Sequence, residues 1–318
     1  REQDISSFPS KIGAEGKVRI GATRDGKIKA LKCIYYVDCG AYTDTGTRMV
    51  RAIAADCSGP YNIENIHCDA YAVYTNHNYV TSFRGFGHGA SSFGIEGAIN
   101  KLSNELNIDP LELRKINAIK SGDLAPTRDK ITLSNTGDLE PCLVKLKGIM
   151  NWDEGNRIKT KDGKVRAKGI SCFWKTSSSP VNANSGVLLT MNTDGTINMN
   201  FGATEIGPGT KSIMAQILAE KMKMDIEDIH VFMGVNTQVT PRHWKTVASM
   251  STVMVGNATI AAAEDLIKQI KEVASIVLKC TSRDLDVKNK RVFLRDNPNI
   301  FLEFKKIAHG YKYKQGSG

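Results

Sequence analysis

Two segments hinged on Asp-Gly pairs constrain this chain most. Residues 17–40, KVRIGATRDGKIKALKCIYYVDCG, alternate apolar and polar side chains on either side of Asp25-Gly26. Residues 186–204, GVLLTMNTDGTINMNFGAT, do the same around Asp194-Gly195. A period of two suits a strand with one buried face, and Asp-Gly supplies the positive-φ residues of a tight hairpin turn. Two antiparallel hairpins follow from this. Each is followed, further along, by a glycine-containing loop and an amphipathic segment. The first segment predicts a helix over about Ala90–Leu106, with Phe93, Ala98, Leu102 and Leu106 near helical spacing. The second predicts one over about Thr210–Met222, with Ile213, Met214, Ile217 and Leu218 on one face. Both end in similar words, NELNIDPLEL and EKMKMDIEDI. In the first, Asp109-Pro110 has the form of an N-cap and first residue of a further short helix.

The recurrence points to an α+β fold made of two related mixed sheet-and-helix domains. Residues 158–169, IKTKDGKVRAKG, are charged and almost without apolar side chains. They suit a linker, which puts the expected domains at 1–157 and 158–318. Further on, a long helix is expected over about Ala258–Lys279. A strand, a turn and a helix start are expected within residues 289–308, NKRVFLRDNPNIFLEFKKIA. The tail YKYKQGSG suits a frayed, solvent-facing end.

Composition narrows the function. No apolar run reaches the roughly 18 residues that cross a bilayer, and the polar start has no signal-peptide character, so no membrane contact is expected. The seven cysteines are scattered and show no C-x-x-C spacing, which fits reduced thiols in a cytoplasmic protein without its own zinc or iron–sulfur site. The formal charge of +10 fits an acidic partner chain or an anionic ligand. Nucleic acid is not expected: aromatics are only 7% and do not alternate with basic residues as a base-stacking platform would. The histidines form no metal-ligand pattern, and the chain holds no nucleophile elbow, H-E-x-x-H or Walker loop. Three loops remain: FRGFG at 83–87, ATEIGPGT at 203–210 and KTVASMSTVMVGNA at 245–258. Ahead of helices, such loops suit a large anion such as a nucleotide or pterin phosphate, and equally suit ordinary helix caps.

The words themselves resemble the molybdenum-cofactor domains of the xanthine dehydrogenase (molybdenum hydroxylase) family. SFRGFGHGASSFGIEGAINKLSNELNIDPLELRKINAIKSGD is similar to that family's F-R-G-F-G loop, helix and -DP-x-E-x-R-x-x-N segment. GATEIGPGTKSIMAQILAEKMKMDIEDIHVFMG is similar to its G-T-E-x-G-Q-G loop and helix, and TVASMSTVMVGNA to its T-A-A-S-x-S-T segment. The resemblance covers nearly the whole chain, in order.

This resemblance implies molybdopterin with molybdenum as cofactor, as a cytosine dinucleotide. Phe83, Arg84, Gly85, Phe86, Gly87, Gly207, Pro208, Gly209, Thr246, Val247, Ala248, Ser249 and Ser251 fall on its cofactor-binding positions. Arg84 and Ala248 lie beside the metal, with no protein ligand to it. Arg51 falls where the family keeps an arginine that binds substrate and meets negative charge developing on the ring. Phe86 falls where a ring stacks on the substrate. Ser177 and Ser178 stand where the family has a second aromatic and a threonine, so that substrate wall is small and polar. Pro208 replaces the glutamine of G-Q-G and loses a donor. Gly85 stands where carbon monoxide dehydrogenases have a cysteine, against that branch.

The family's general-base glutamate, in a late G-E-P-like segment, is not found. The chain is therefore expected to be one piece of a split catalytic subunit, similar to the medium molybdopterin chain of nicotinate dehydrogenases. The partners implied are a second molybdopterin subunit, an iron–sulfur subunit and an FAD subunit. The activity implied is hydroxylation of an N-heterocycle, nicotinate first, with water as the oxygen source. Purine or aldehyde hydroxylation, and a non-catalytic basic binding subunit, are the alternatives.

Overall fold

The computed structural model describes residues 1–175 and 181–313. The chain divides into two compact units, Arg1–Thr176 and Ser177–Gly318. The N-terminal unit starts with a short helix α1 (Glu2–Ser7), then β1 (Gly13–Ala22) and β2 (Ile28–Asp38). These pair antiparallel about Asp25-Gly26 as the alternation predicts. The helix α2 (Gly46–Ala55) crosses over to β3 (Asn65–Val73), which adds to β2 in parallel. There follow α3 (His88–Leu106), α4 (Pro110–Asn117) and α5 (Leu139–Ile149). The charged stretch at 158–169 is no linker: β4 (Arg157–Lys159) and β5 (Val165–Ala167) pair antiparallel as a ribbon of this unit. Its local ladder satisfies the backbone of a segment that has few apolar side chains to bury, and the units part near residue 176 instead of 157.

The C-terminal unit repeats the opening pattern. Strands β6 (Val187–Met191) and β7 (Ile197–Phe201) pair antiparallel about Asp194-Gly195, and α6 (Thr210–Met222) crosses over to β8 (Ile229–Phe232), parallel to β7. Then comes α7 (Ser251–Leu278) and a second small sheet of β9 (Leu285–Lys288), β10 (Arg291–Leu294) and β11 (Asn297–Glu303), in antiparallel order. The expected helix start near the end is thus mostly β11, because Arg295-Asp296 turns the chain back on β10. The helix α7 also begins seven residues before the expected Ala258. Gly256-Asn257 has the composition of a break, but Gly256 is buried against Ile217 of α6, where a larger residue would crowd.

Both units therefore run strand, strand, helix, parallel strand, helix. Contacts fix the correspondence: α2 packs on β3 and α3 on β1, while α6 packs on β8 and α7 on β6. The partner of α6 is α2, and the partner of α7 is α3. Sequence pairing of α3 with α6 is corrected by this topology. Their shared words are helix stops. Asn107, Lys223 and Lys279 each take a left-handed C-cap conformation. The next residue, Ile108, Met224 or Cys280, donates its N–H to a carbonyl five back, at 3.1 Å in each case. This six-to-one closure ends a helix anywhere, and marks no repeat.

On α3 the expected Ala98, Leu102 and Leu106 are half-buried, with Leu102 against the core, but Phe93 departs from the expected face. Ile95, Glu96 and Ile99 point inward, whereas Phe93 is 85% exposed. Glu96 can be buried because Arg114, fully buried on α4, donates to its carboxylate, as does the Tyr61 hydroxyl at 2.5 Å. Asp109 caps α4 through the N–H groups of Leu111 and Glu112, at 2.9 and 3.1 Å. Asn117 locks the first hairpin by accepting from Ile28 N–H and donating to the Gly26 carbonyl, each at 2.8 Å. The DPLELRKIN segment thus serves packing.

Candidate functional site

In the N-terminal unit the site is built around α2 and the loop ahead of α3. Phe86 N–H donates to the Phe83 carbonyl at 2.7 Å and His88 N–H to the Gly85 carbonyl at 3.1 Å, so residues 83–88 are two linked turns. Gly85 (φ +95°) and Phe86 (φ +49°) both lie in the left-handed region. Glycine takes that region freely, but phenylalanine pays of order 1 kcal/mol for it, which marks a conformation the surroundings impose. Two contacts impose it. A Cβ on Gly87 would stand 2.4 Å from the Met49 carbonyl oxygen, so the loop lies directly on α2. His88 Nδ1 meets the carboxylate of Asp56, just past the end of α2, and both side chains are buried. By contrast, nothing lies within 4 Å of where a Cβ on Gly85 would be, so that backbone is open.

On this platform Arg51, on α2, and Arg84 are exposed. Neither forms an ion pair among the described residues. Phe86 is half-buried, its ring 6.3 Å from that of His88, and Phe83 is exposed beneath the Lys11 ammonium at 5.9 Å. The loop of Phe83, Arg84, Gly85, Phe86 and Gly87 thus lies on α2 through Gly87, and Arg51 is on that same helix. Ser177 and Ser178 lie outside the described residues.

In the C-terminal unit the loops at 203–210 and 245–250 are tied together: Thr204 N–H donates to Thr246 Oγ1 at 2.9 Å. A strap behind them is closed by Gly186 N–H on the Arg242 carbonyl and Trp244 N–H on the Asn184 carbonyl, each at 2.9 Å. Ser185 Oγ meets His243 Nδ1 at 2.7 Å in the same strap. Val247, Ala248 and Ser249 are exposed, and Ala248 (φ +55°) and Ser249 (φ +60°) are a second left-handed pair, again directly ahead of a helix. Ser251 opens α7 and is half-buried. Gly207 and Gly209 have positive φ and open space where a Cβ would be, with Pro208 exposed between them.

The donors at the start of α6 are already engaged. Glu205 accepts the N–H groups of Gly207, Gly209 and Lys211 at 2.8, 3.1 and 3.3 Å. Burial is the largest single influence and opposes ionisation, but these backbone bonds together outweigh it and hold the pKa below the usual carboxylate value. The expectation that this helix start receives a ligand's anion is thereby revised, since its own carboxylate fills that role. Glu205 escaped the sequence reading, although an acidic residue two before a G-x-G at a helix start is a legible cap signal. Asp56 escaped too, and nothing local marks it, since its partner is 32 residues away.

Among the described residues no cluster of three or more His, Cys, Asp or Glu side chains could hold a metal ion, and no helix is long and apolar enough to cross a membrane. Each unit by itself presents groups of the kind a pterin takes: open backbone at Gly85 and the exposed Arg51 and Arg84 in the N-terminal unit, and open backbone at Gly207 and Gly209 with the exposed Ser249 in the C-terminal unit. Two models described as molybdopterin cofactor-binding domain match, over residues 1–118 and 145–317. The putative xanthine dehydrogenase molybdenum-binding subunit of Escherichia coli is 30% identical over 284 residues, which is 88% of this chain and 38% of that protein. This chain thus spans well under half the length of that relative. Quinoline 2-oxidoreductase from Pseudomonas putida superposes with a TM-score of 0.75 at 16% identity, over 96% of this chain and 41% of that one. Carbon monoxide dehydrogenase from Oligotropha carboxidovorans does so with a TM-score of 0.73 at 21% identity, over the same shares; these two likenesses speak to the fold. With both domain models matched in order along the chain, this protein belongs to the molybdopterin cofactor-binding domains of the molybdenum hydroxylase family.

Proposed function

We infer that this chain is the molybdopterin-binding part of a molybdenum hydroxylase acting on an electron-poor N-heterocycle, with nicotinate the first substrate to test. The carrying observation is Arg51, an exposed guanidinium without a counter-charge on the helix that seats the Phe86 loop. In the N-terminal unit Phe83, Arg84, Gly85 and Gly87 would hold the cofactor. In the C-terminal unit Gly207, Pro208, Gly209, Thr246, Val247, Ala248, Ser249 and Ser251 would do so. When bound, the molybdenum cofactor, as a cytosine dinucleotide, supplies a two-electron oxidation with water as oxygen source, and partner chains with iron–sulfur clusters and FAD carry the electrons away.

The chain's own residues bind and orient. Arg51 donates in a fixed fork to the substrate's ring nitrogen or carboxylate, and its attraction strengthens as negative charge builds on the ring. Phe86 stacks on the ring face, and its strained backbone keeps it there without a further ordering cost. Ser177 and Ser178 replace, in sequence, the family's second aromatic and threonine, and their small polar side chains suit a carboxylated ring better than a second aromatic would. A second molybdopterin chain brings the general-base glutamate. Free cysteines throughout favour a reducing, cytoplasmic setting.

In the intact complex, Arg51→Ala is expected to lower kcat about 10²–10³-fold and to raise KM far less, as for a group that acts mainly in the transition state. Unchanged turnover removes Arg51 from the reaction. Relatives named xanthine dehydrogenase and aldehyde oxidoreductase support purine or aldehyde oxidation as the second reading. Steady-state assays with nicotinate, hypoxanthine and a simple aldehyde separate the three. Metal and cytosine-nucleotide analysis of the natively purified complex separates an enzyme from a binding subunit.

A further inference from the structure

Beneath the sheet of the N-terminal unit, three separate pieces of chain bring their thiols together. Cys33 on β2 and Cys68 on β3 are register partners across the parallel ladder. Cys57, two residues past the end of α2, touches both. Cys33 and Cys57 are fully buried, whereas Cys68 is partly open to solvent. All are reduced, no metal set forms around them among the described residues, and the cofactor reading uses none of them.

We propose that Cys57 and Cys68 are a peroxide-sensitive dithiol that closes to a disulfide. The order of events follows from exposure and contact. A thiolate, not a thiol, is the nucleophile, so the reactive cysteine must be both reachable and ionised. Cys68 is the reachable one, and the two neighbouring S–H groups donate to its sulfur, which holds its pKa down at about 4. The bond from Cys57 favours the Cys33 thiolate, but the bond to Cys68 and burial outweigh it and push Cys33 up to about 12, while both bonds and burial push Cys57 up. The Cys68 sulfur attacks one oxygen of hydrogen peroxide, the O–O bond breaks, and the departing hydroxide takes up a proton to leave as water. Cys68 is then a sulfenic acid. The Cys57 sulfur attacks the Cys68 sulfur, the S–O bond breaks, and the leaving hydroxide carries off the Cys57 proton as a second water. Two thiols have lost two electrons in total, and one peroxide has become two waters.

Cys57 is favoured over Cys33 as resolving partner because it sits on chain leaving a helix, while Cys33 is fixed by the ladder on a central strand. Closure would tether the end of α2 to β3. The residue before Cys57 is Asp56, whose carboxylate holds His88 at the head of α3, so the bond reaches the anchor of the Phe86 loop.

The test is independent of turnover and of the cofactor reading. The natively purified complex is titrated with hydrogen peroxide, remaining thiols are blocked with a maleimide, and the unreduced peptides are mapped by mass spectrometry. The expected result is a crosslink between the peptides holding Cys57 and Cys68, formed before the exposed Cys142 is oxidised and reversed by dithiothreitol. Prior oxidation of Cys142 or Cys280, a Cys33–Cys68 crosslink, or Cys68 passing to the sulfinic acid without a crosslink each overturns it. Because the wild-type protein gives the answer, a Cys57→Ser variant that fails to fold leaves the test intact. One that folds is expected to carry Cys68 to the sulfinic acid.

Discussion

The two units share one topology and an apolar core, but the N-terminal one adds a buried charged network to it. Beneath the N-terminal sheet lies a buried polar network: Tyr61, Glu96, Arg114 and Asn117 bond one another or the backbone with almost no exposed surface. The C-terminal unit has no such charged network among its described residues, and Met199, Phe201, Met214, Leu218 and Met222 are fully buried in its core. The lesson is that strand order and helix placement ask only for a filled interior. A charged network fills it when every donor and acceptor is met, and flexible methionines fill it without directional demands.

This contrast can be broken most sharply at Arg114. Arg114→Met leaves the Glu96 carboxylate buried and unpaired, and is expected to cost the N-terminal unit about 3–5 kcal/mol in urea unfolding. The matching swap in the other core, Met214→Leu, is expected to stay under about 1.5 kcal/mol. Equal costs would mean that the polar network is incidental.

The glycine loops sharpen the comparison next. Gly87→Ala forces a Cβ against the Met49 backbone and is expected to cost about 1–3 kcal/mol, with loss of the Phe86 position. Gly209→Ala meets open space and carries only the left-handed backbone penalty, about 1 kcal/mol. Thermal unfolding of both variants checks the order, and a costlier Gly209→Ala would reverse the assignment of which loop is clamped.

The smallest effect concerns pH. Burial pushes His243 below its ordinary value of 6.5. As acidity increases below pH 6.5, the unfolded chain takes up a proton that the folded ring resists, so stability of the C-terminal unit falls across that range. His243→Gln is expected to flatten the profile there, as followed by amide exchange in β6 and β7. A profile unchanged by the variant would mean that the ring titrates normally.

Much of the fold was legible because local rules carried it. Asp25-Gly26 and Asp194-Gly195 turn where the alternation says, α6 spans Thr210–Met222 as expected, and Asp109-Pro110 starts α4. What failed was local resemblance taken for correspondence. NELNIDPLEL and EKMKMDIEDI look like a repeat because both encode a left-handed helix stop, yet the units match through α2 with α6. Phe93 looked buried by spacing and is exposed, while Glu96 on the same helix is buried against a partner 18 residues further on. Of the candidate site, the family-like words indicated the loops, but not that Glu205 fills the start of α6.

The sequence by itself determined where hairpins turn, where helices stop and which loops carry glycine, because those choices depend on neighbours a few residues away. Tertiary structure alone decided which helix answers to which, that Gly87 must be bare because Met49 lies against it, and that three cysteines from distant segments meet. Those facts depend on distances between residues far apart in the chain, which no local pattern of side chains encodes.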